Sequence, residues 1–338
     1  KEYRKNIIKT LMIMAFVESI MGILQHFLLW PVDCEHLTKA HRLGRMAFGA
    51  AQNCNFFAGL LTLLMGLCVA TYVSVKLRKK QKYACLVIIA VVYLCGLYTA
   101  TRIFWLGAIG VFISLIGFEI VYFISNRNIK DNLLRLKRIG IVLVIVVAVT
   151  GGVYLSKDNC IVSQIQEFKA DSENLKEEGN IDRYGSSRGV IWRMGIEALP
   201  KYWVLGVGVD NYHYTYKINP TYDGELYRQP RAHCEYLQVL VDEGVFAFAL
   251  YMSFIFYTFI KTVKYLCKNK MNSDNVYKYI FLIAFCSYSI QALVNSSIVN
   301  IAPYFWITVG LLNERTEMRN IKTFNSKNRG EQINNDEK

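Results

Sequence analysis

Apolar residues in this chain arrive in runs of about 20, separated by short basic stretches, and no other feature restricts its fold so tightly. A helix of that length rises about 30 Å, the depth of a bilayer's hydrocarbon core, and satisfies its backbone amides internally. Composition agrees. Of 338 residues, 53% are hydrophobic and 19% charged, whereas a soluble domain carries about a quarter charged. Length alone would suggest two soluble domains; the regular spacing of the runs argues for one membrane domain.

Eight spans are expected, at about 7–30, 47–75, 83–101, 103–124, 139–156, 237–260, 279–296 and 298–312. Segments 1–9, 76–82, 125–138, 261–278 and 313–338 hold 25 of the 39 Lys and Arg residues. Positive residues stay on the cytoplasmic side, so both termini are expected there. The long 157–236 segment holds ten basic and twelve acidic residues; long loops cross largely regardless of charge, and this one is expected outside. The chain thus divides into five N-terminal spans (1–156), an extracytoplasmic loop with short helices (157–236), three C-terminal spans (237–312) and a disordered basic cytoplasmic tail (313–338). The first span is too long for a signal segment and lacks a small-residue cleavage site.

Two polar interruptions stand out. Thr99-Ala-Thr-Arg102 divides a long apolar stretch, and an arginine among apolar neighbours needs an anionic partner or a route to water. Asn295 to Pro303 breaks the last hydrophobic stretch, either as a tight hairpin or as polar backbone lining a watery cavity. In the loop, 157–180 reads as one amphipathic helix and a tether. Apolar Val190, Ile191, Met194, Ile196 and Leu199 predict a helix from Arg188 to Leu199, with Ser186 or Ser187 as its N-cap and Pro200 beyond its end. Gly206-Val-Gly208 reads as a turn. Tyr202, Trp203, Tyr212, Tyr214, Tyr216, Tyr222 and Tyr227 are suited to stacking on sugar rings or to a belt at headgroup level.

Other functions are disfavoured. The net charge of +13 sits at the ends of apolar runs and does not form a nucleic-acid motif. Nine cysteines include no C-x-x-C pair, and Cys68, Cys85, Cys95 and Cys286 fall inside spans as small hydrophobes. His26, His36 and His41 with Asp33, Cys34 and Glu35 fit no zinc spacing. Asp171-Ser-Glu173 reads as a solvated helix face. The Gly206 turn lacks the third glycine and preceding strand of a nucleotide-binding loop. No metal or cofactor is expected.

Four motifs in order resemble the O-antigen ligase and Wzy-type polymerase superfamily. Arg45-Met-Ala-Phe-Gly49-Ala-Ala-Gln-Asn53-Cys-Asn55-Phe-Phe-Ala resembles its R-x-x-G-x-x-x-N-P-N-x-x-A segment, and Thr99-Ala-Thr-Arg102 its T-x-S-R turn. Ser187-Arg188-Gly-Val-Ile-Trp192, Pro200 and Gly206-Val-Gly208 resemble its R-x-x-x-W…P-x-x-G-x-G loop. Ala232-His233-Cys-Glu-Tyr236-Leu-Gln, with Glu243-Gly244, resembles its A-H-N-x-Y-L…E-x-G signature. The resemblance runs over about 7–315 and departs at Cys54, where the family has proline, and at Cys234, where it commonly has asparagine. Members have more spans, so about four are expected to precede this sequence.

The resemblance implies an all-α polytopic fold of the C-type glycosyltransferase-like kind in a bacterial plasma membrane. It also implies a reaction in which an undecaprenyl-diphosphate-linked oligosaccharide gives its reducing-end sugar to an acceptor glycan hydroxyl. Arg188, Arg102 and Arg45 are the expected diphosphate partners, because guanidinium donors match phosphate oxygens. His233 is the expected base, although by position alone it would read as an interfacial histidine at a helix start. Tyr236, Trp192 and Asn53 complete the expected substrate contacts. Membrane lipid and other polysaccharide-assembly membrane proteins are the implied partners. Extension of a polysaccharide is the leading expectation and ligation to a lipid, wall polymer or protein its rival. A flippase is disfavoured, because ionisable residues within spans are few (Glu18, Glu119) and no repeat is visible.

Overall fold

The computed structural model describes residues 2–29, 46–156, 159–177, 184–217 and 230–314. Among them the chain is helical, with no strand. α1 (Glu2–His26), α2 (Cys54–Ser74), α3 (Lys79–Tyr98), α4 (Arg102–Asn126) and α5 (Ile129–Leu155) run back and forth. Two helices of the long loop follow, α6 (Asn159–Glu177) and α7 (Tyr184–Tyr202), then α8 (Glu235–Lys268), α9 (Val276–Gln291) and α10 (Ala302–Asn313). Six of these, α1 to α5 and α8, are long and apolar enough to cross a membrane. The last two expected spans are shorter than sequence suggests, α9 having 16 residues and α10 having 12. Their helices stop on either side of 292–301, and two asparagine side chains of that break tie it to the Gly49–Ala51 turn and the start of α2. Asn295 Nδ2 donates to the Asn55 carbonyl at 3.0 Å and Asn300 Nδ2 to the Ala51 carbonyl at 3.3 Å.

α2 is the central helix. Its residues are buried along nearly its whole length, and α9 packs most extensively on it, with α3 and α4 completing the surround. Small residues allow the approach: a Cβ at Gly66 would press on the Ala284 backbone of α9, and one at Gly107 of α4 would collide with the Thr62 side chain. Thr62 and Thr71 spend their hydroxyls on carbonyls of their own helix, at 2.9 and 2.8 Å. In contrast, α5 and α8 leave long apolar faces uncovered, as helices facing lipid do.

The helix ends sort into two sets. At one, which is rich in Lys and Arg, Arg4 pairs with Glu314 at 2.6 Å, Arg138 Nη1 donates to the Tyr72, Val73 and Val75 carbonyls, and Asn126 Nδ2 donates to Cys267. Near it, buried Glu119 receives Arg135 Nε at 2.8 Å, Asn132 Nδ2 at 2.8 Å and Tyr279 Oη at 3.2 Å, so this in-span acid is a structural tie between α4, α5 and α9. At the other end lie the Gly49–Ala51 turn, the 99–102 turn, α6, α7, the start of α8 and the 292–301 break.

α7 begins earlier than the sequence predicts. It is already helical at Ser186 and Ser187, so neither is its N-cap, and Pro200 lies inside its last turn. So close to the end, proline's missing N–H forfeits a single helical bond. The more consequential break is in α8, where Gly244 adopts φ 82° and ψ 177°. The Gly206 turn repairs this interruption. Val207 and Gly208 donate to the Val241 and Asp242 carbonyls, both at 2.9 Å, while the freed Val245 N–H donates to the Trp203 carbonyl at 2.8 Å. The fit requires glycine on both sides: a Cβ at Gly244 would collide with the Val204 carbonyl, and one at Gly206 with that of Asp242. Gly244→Ala is therefore expected to cost about 1–3 kcal/mol from its positive φ alone and to lower the melting temperature in detergent, whereas Gly117→Ala, with open space around it, should not.

Candidate functional site

His233 lies just ahead of α8, and the chain around it is held by side chains from two elements. The preceding residue, Ala232, is fully buried. Its N–H donates to Gln238 Oε1 at 2.6 Å, and its carbonyl accepts from Trp192 Nε1 of α7 at 2.9 Å. Two residues past His233, the Glu235 N–H donates to the Ala292 carbonyl at 2.9 Å. Between these clamps His233 adopts φ 50°, a left-handed conformation uncommon for a residue with a side chain. Such strain persists only where the surroundings enforce it.

Gln238 in turn donates from Nε2 to Asp242 Oδ2 at 2.6 Å, and the same oxygen accepts the Asp210 N–H at 3.0 Å. Asp210 Oδ1 pairs with Arg231 Nη2 at 2.9 Å, and Arg231 Nη1 donates to the Ser297 carbonyl at 3.1 Å. Arg231 thus sits beside the histidine, tied to the Gly206 turn and to the 292–301 break. Sequence reasoning missed it, since a cation two residues before a histidine is no signal by itself.

Arg188, at the start of α7, is half-buried. Its charge reaches both His233 and Cys54, the first residue of α2. The site therefore gathers Arg188, Arg231 and His233 close to the N-terminus of α2, whose dipole also favours anions. Burial holds the His233 imidazole well below its ordinary value, to about 4, and the neighbouring Arg188 and Arg231 guanidiniums push in the same direction. The ring is neutral at pH 7, and its buried Nδ1 makes no hydrogen bond among the described residues.

The other expected residues are placed differently. Arg102, the first residue of α4, pairs with Glu167 of α6 at 3.2 Å and lies over the Phe168 ring. Asn53 caps α2, its Oδ1 accepting the Asn55 and Phe56 N–H groups at 2.9 and 3.3 Å. Tyr236 Oη donates to the Ser289 carbonyl at 2.8 Å, and Trp192 holds Ala232. All three spend polar groups on positioning backbone. Arg45 lies outside the described residues. Cys234 is the α8 N-cap and makes no side-chain cap bond. Glu235, the next residue, is buried and accepts Tyr251 Oη and Tyr288 Oη, both at 2.9 Å.

Among the loop aromatics Tyr212 is fully buried and donates to the Ile191 carbonyl at 2.5 Å, so it packs the loop and is not open to a ligand. Tyr222 and Tyr227 lie outside the described residues, as do His36, His41, Asp33, Cys34 and Glu35. His26 stacks on Tyr98 with ring centroids 3.8 Å apart.

Residues 88–252 match the O-antigen ligase family, so the resemblance drawn from the motifs holds for that segment. It takes in Arg102, Arg188, Trp192, Arg231, His233, Tyr236 and Gly244. No curated protein matches the chain.

Because nearby cations disfavour the imidazolium, Arg188→Ala should raise the His233 pKa from about 4 towards its ordinary value near 6.5. The histidine signals of labelled protein, followed by NMR through an acid titration, check this. Wild type should keep His233 neutral between pH 6 and 5, roughly, where the variant begins to protonate.

Proposed function

Starting from that O-antigen ligase match, we propose that the chain is a membrane glycosyltransferase that takes its donor glycan from undecaprenyl diphosphate and extends a cell-surface polysaccharide. The observation that carries this reading is the placement of a neutral imidazole, His233, beside two guanidiniums, Arg188 and Arg231, at the N-terminus of α2.

The chemistry asks for little more. The acceptor hydroxyl oxygen forms a bond to the anomeric carbon while that carbon's bond to the phosphate oxygen breaks. The hydroxyl proton passes to His233, and undecaprenyl diphosphate leaves with both electrons of the broken bond. Diphosphate leaves readily once its charge is met, and Arg188 and Arg231 are suited to meeting it. Arg231 would have to share or exchange Asp210 to do so, as Arg102 would Glu167. Arg45 remains a proposed third cation, and Asn53, Trp192 and Tyr236 are proposed to frame the bound donor by fixing the backbone around it.

The proposed geometry also fixes the sign of the pH dependence. His233 works as a base only when neutral, so activity of the free enzyme should fall as pH drops through about 4. With donor bound, its negative charge offsets the guanidiniums, and the acid limb should move to higher pH.

The match to an O-antigen ligase family favours one second reading, ligation of finished glycan to another acceptor. Purified enzyme given lipid-linked repeat units alone separates the two: a ladder of lengthening products supports polymerisation, and no product until a second acceptor is added supports ligation. In either assay His233→Ala and Arg188→Ala should each lower turnover by at least about a hundredfold, the usual contribution of a general base for the first and of a charge-stabilising donor for the second, with insertion unchanged. Wild-type turnover in either variant would refute the mechanism.

A further inference from the structure

The Gly206 turn and the residues flanking it carry large apolar side chains that no other described residue covers. Leu205 is 82% exposed and Val209 73%, with Trp203 and Val204 also exposed. A polar loop end has no reason to display four such residues together, and contiguous apolar surface of this kind marks a contact with another phase or molecule. Two observations identify the contact.

The first is depth. The turn is bonded backbone to backbone to α8 at its break, through Val207 to Val241, Gly208 to Asp242 and Val245 to Trp203. It therefore lies at the level of residues 241–245. The opposite end of α8 carries Lys261, Lys264 and Lys268, whose ammonium groups belong at the far interface. Counting back from Lys261 by the about 20 residues that a hydrocarbon core requires arrives at Val241. The turn is thus at the boundary of the apolar layer.

The second is continuity. Immediately past the break α8 exposes Phe246 and Leu250, the latter 73%, and then Phe254, Phe256 and Tyr257. This is the uncovered face of a helix fit to cross a membrane. The backbone bond between Val245 and Trp203 sets the apolar side chains of the turn beside the upper edge of that face.

We propose that residues 203–209 form a membrane anchor, dipping Trp203, Leu205 and Val209 among the acyl chains of the leaflet at the site end. The occupant is bulk lipid, because the surface is a continuation of a lipid-facing helix and Trp203 suits the interface, with an amphipathic ring at the edge of the apolar layer. The anchor would also set the height of the site. Asp210, next after Val209, pairs with Arg231 at 2.9 Å and bonds through its N–H to Asp242 at 3.0 Å, and Gln238 links Asp242 to the residue before His233. Only a few rigid contacts separate lipid from the guanidinium–imidazole cluster.

The test uses the full chain reconstituted in phosphatidylethanolamine–phosphatidylglycerol vesicles, with and without lipids brominated part-way along an acyl chain. Subtracting the emission of a Trp203→Phe variant isolates Trp203. Bromolipid should remove most of the Trp203 component, and aqueous iodide should leave it. A Leu205→Trp variant supplies a second probe at the most exposed position, and its added emission should behave the same way. Quenching of either probe by iodide but not by bromolipid overturns the proposal, as does a probe shielded from both quenchers, which would mean that protein covers the turn. Glycan transfer is not the readout, so the outcome is independent of the proposed reaction.

Discussion

A transmembrane helix that is interrupted must find partners for the amides and carbonyls it releases, since lipid supplies none. In α8 the interruption at Gly244 is repaired by the Gly206 turn, which accepts one freed N–H and supplies two donors to carbonyls left without helical bonds. The consequence goes beyond local repair. The loop segment becomes continuous, by backbone bonds, with a helix of the bundle. α7 leads directly into this turn, and the segment carrying His233 leads directly into α8. Both halves of the cluster are thereby referred to one rigid junction. Two glycines permit the approach, since either Cβ would strike a carbonyl across it.

The sequence revealed those features that depend on short-range pattern. α1 to α5 and α8 follow from runs of apolar residues, and the polar break near Asn295 was visible as a composition change. Less legible was how far α9 and α10 would extend. Their hydropathy suits spans, but Asn295 and Asn300 spend their side-chain amides on carbonyls of the 51–55 segment, which docks the break there as a non-helical turn. Pairings between distant residues were not legible at all. Arg102 was expected to need an anion or water, and the anion turned out to be Glu167 of the chain itself. Nothing local in α6 singles that glutamate out.

The motif residues illustrate a related limit. Trp192, Tyr236 and Asn53 were read as substrate contacts, yet each directs a polar atom to backbone. A motif records that a residue matters without distinguishing contact from support. Arg231 shows the converse. It falls outside the quoted signature, yet it joins the Gly206 turn, the 292–301 break and the histidine's surroundings through two bonds. A cation two residues from a histidine is unremarkable in sequence, and it gains weight only when Arg188, over forty positions away, is seen to act on the same ring.

That arrangement has an ordering built into it under the proposed reaction. Burial first, and then the two neighbouring guanidiniums, keep the imidazole uncharged but also make it a weak base, with a pKa near 4. An anionic diphosphate changes the balance, since it pairs with the guanidiniums and its own charge stabilises the imidazolium. Proton acceptance by His233 is then easier when donor occupies the site. An acceptor or water arriving first meets an imidazole with little affinity for its proton. The same electrostatic contact that binds the leaving group would therefore strengthen the base, and product release would weaken it again, with no moving part beyond the exchange of Asp210 for phosphate at Arg231.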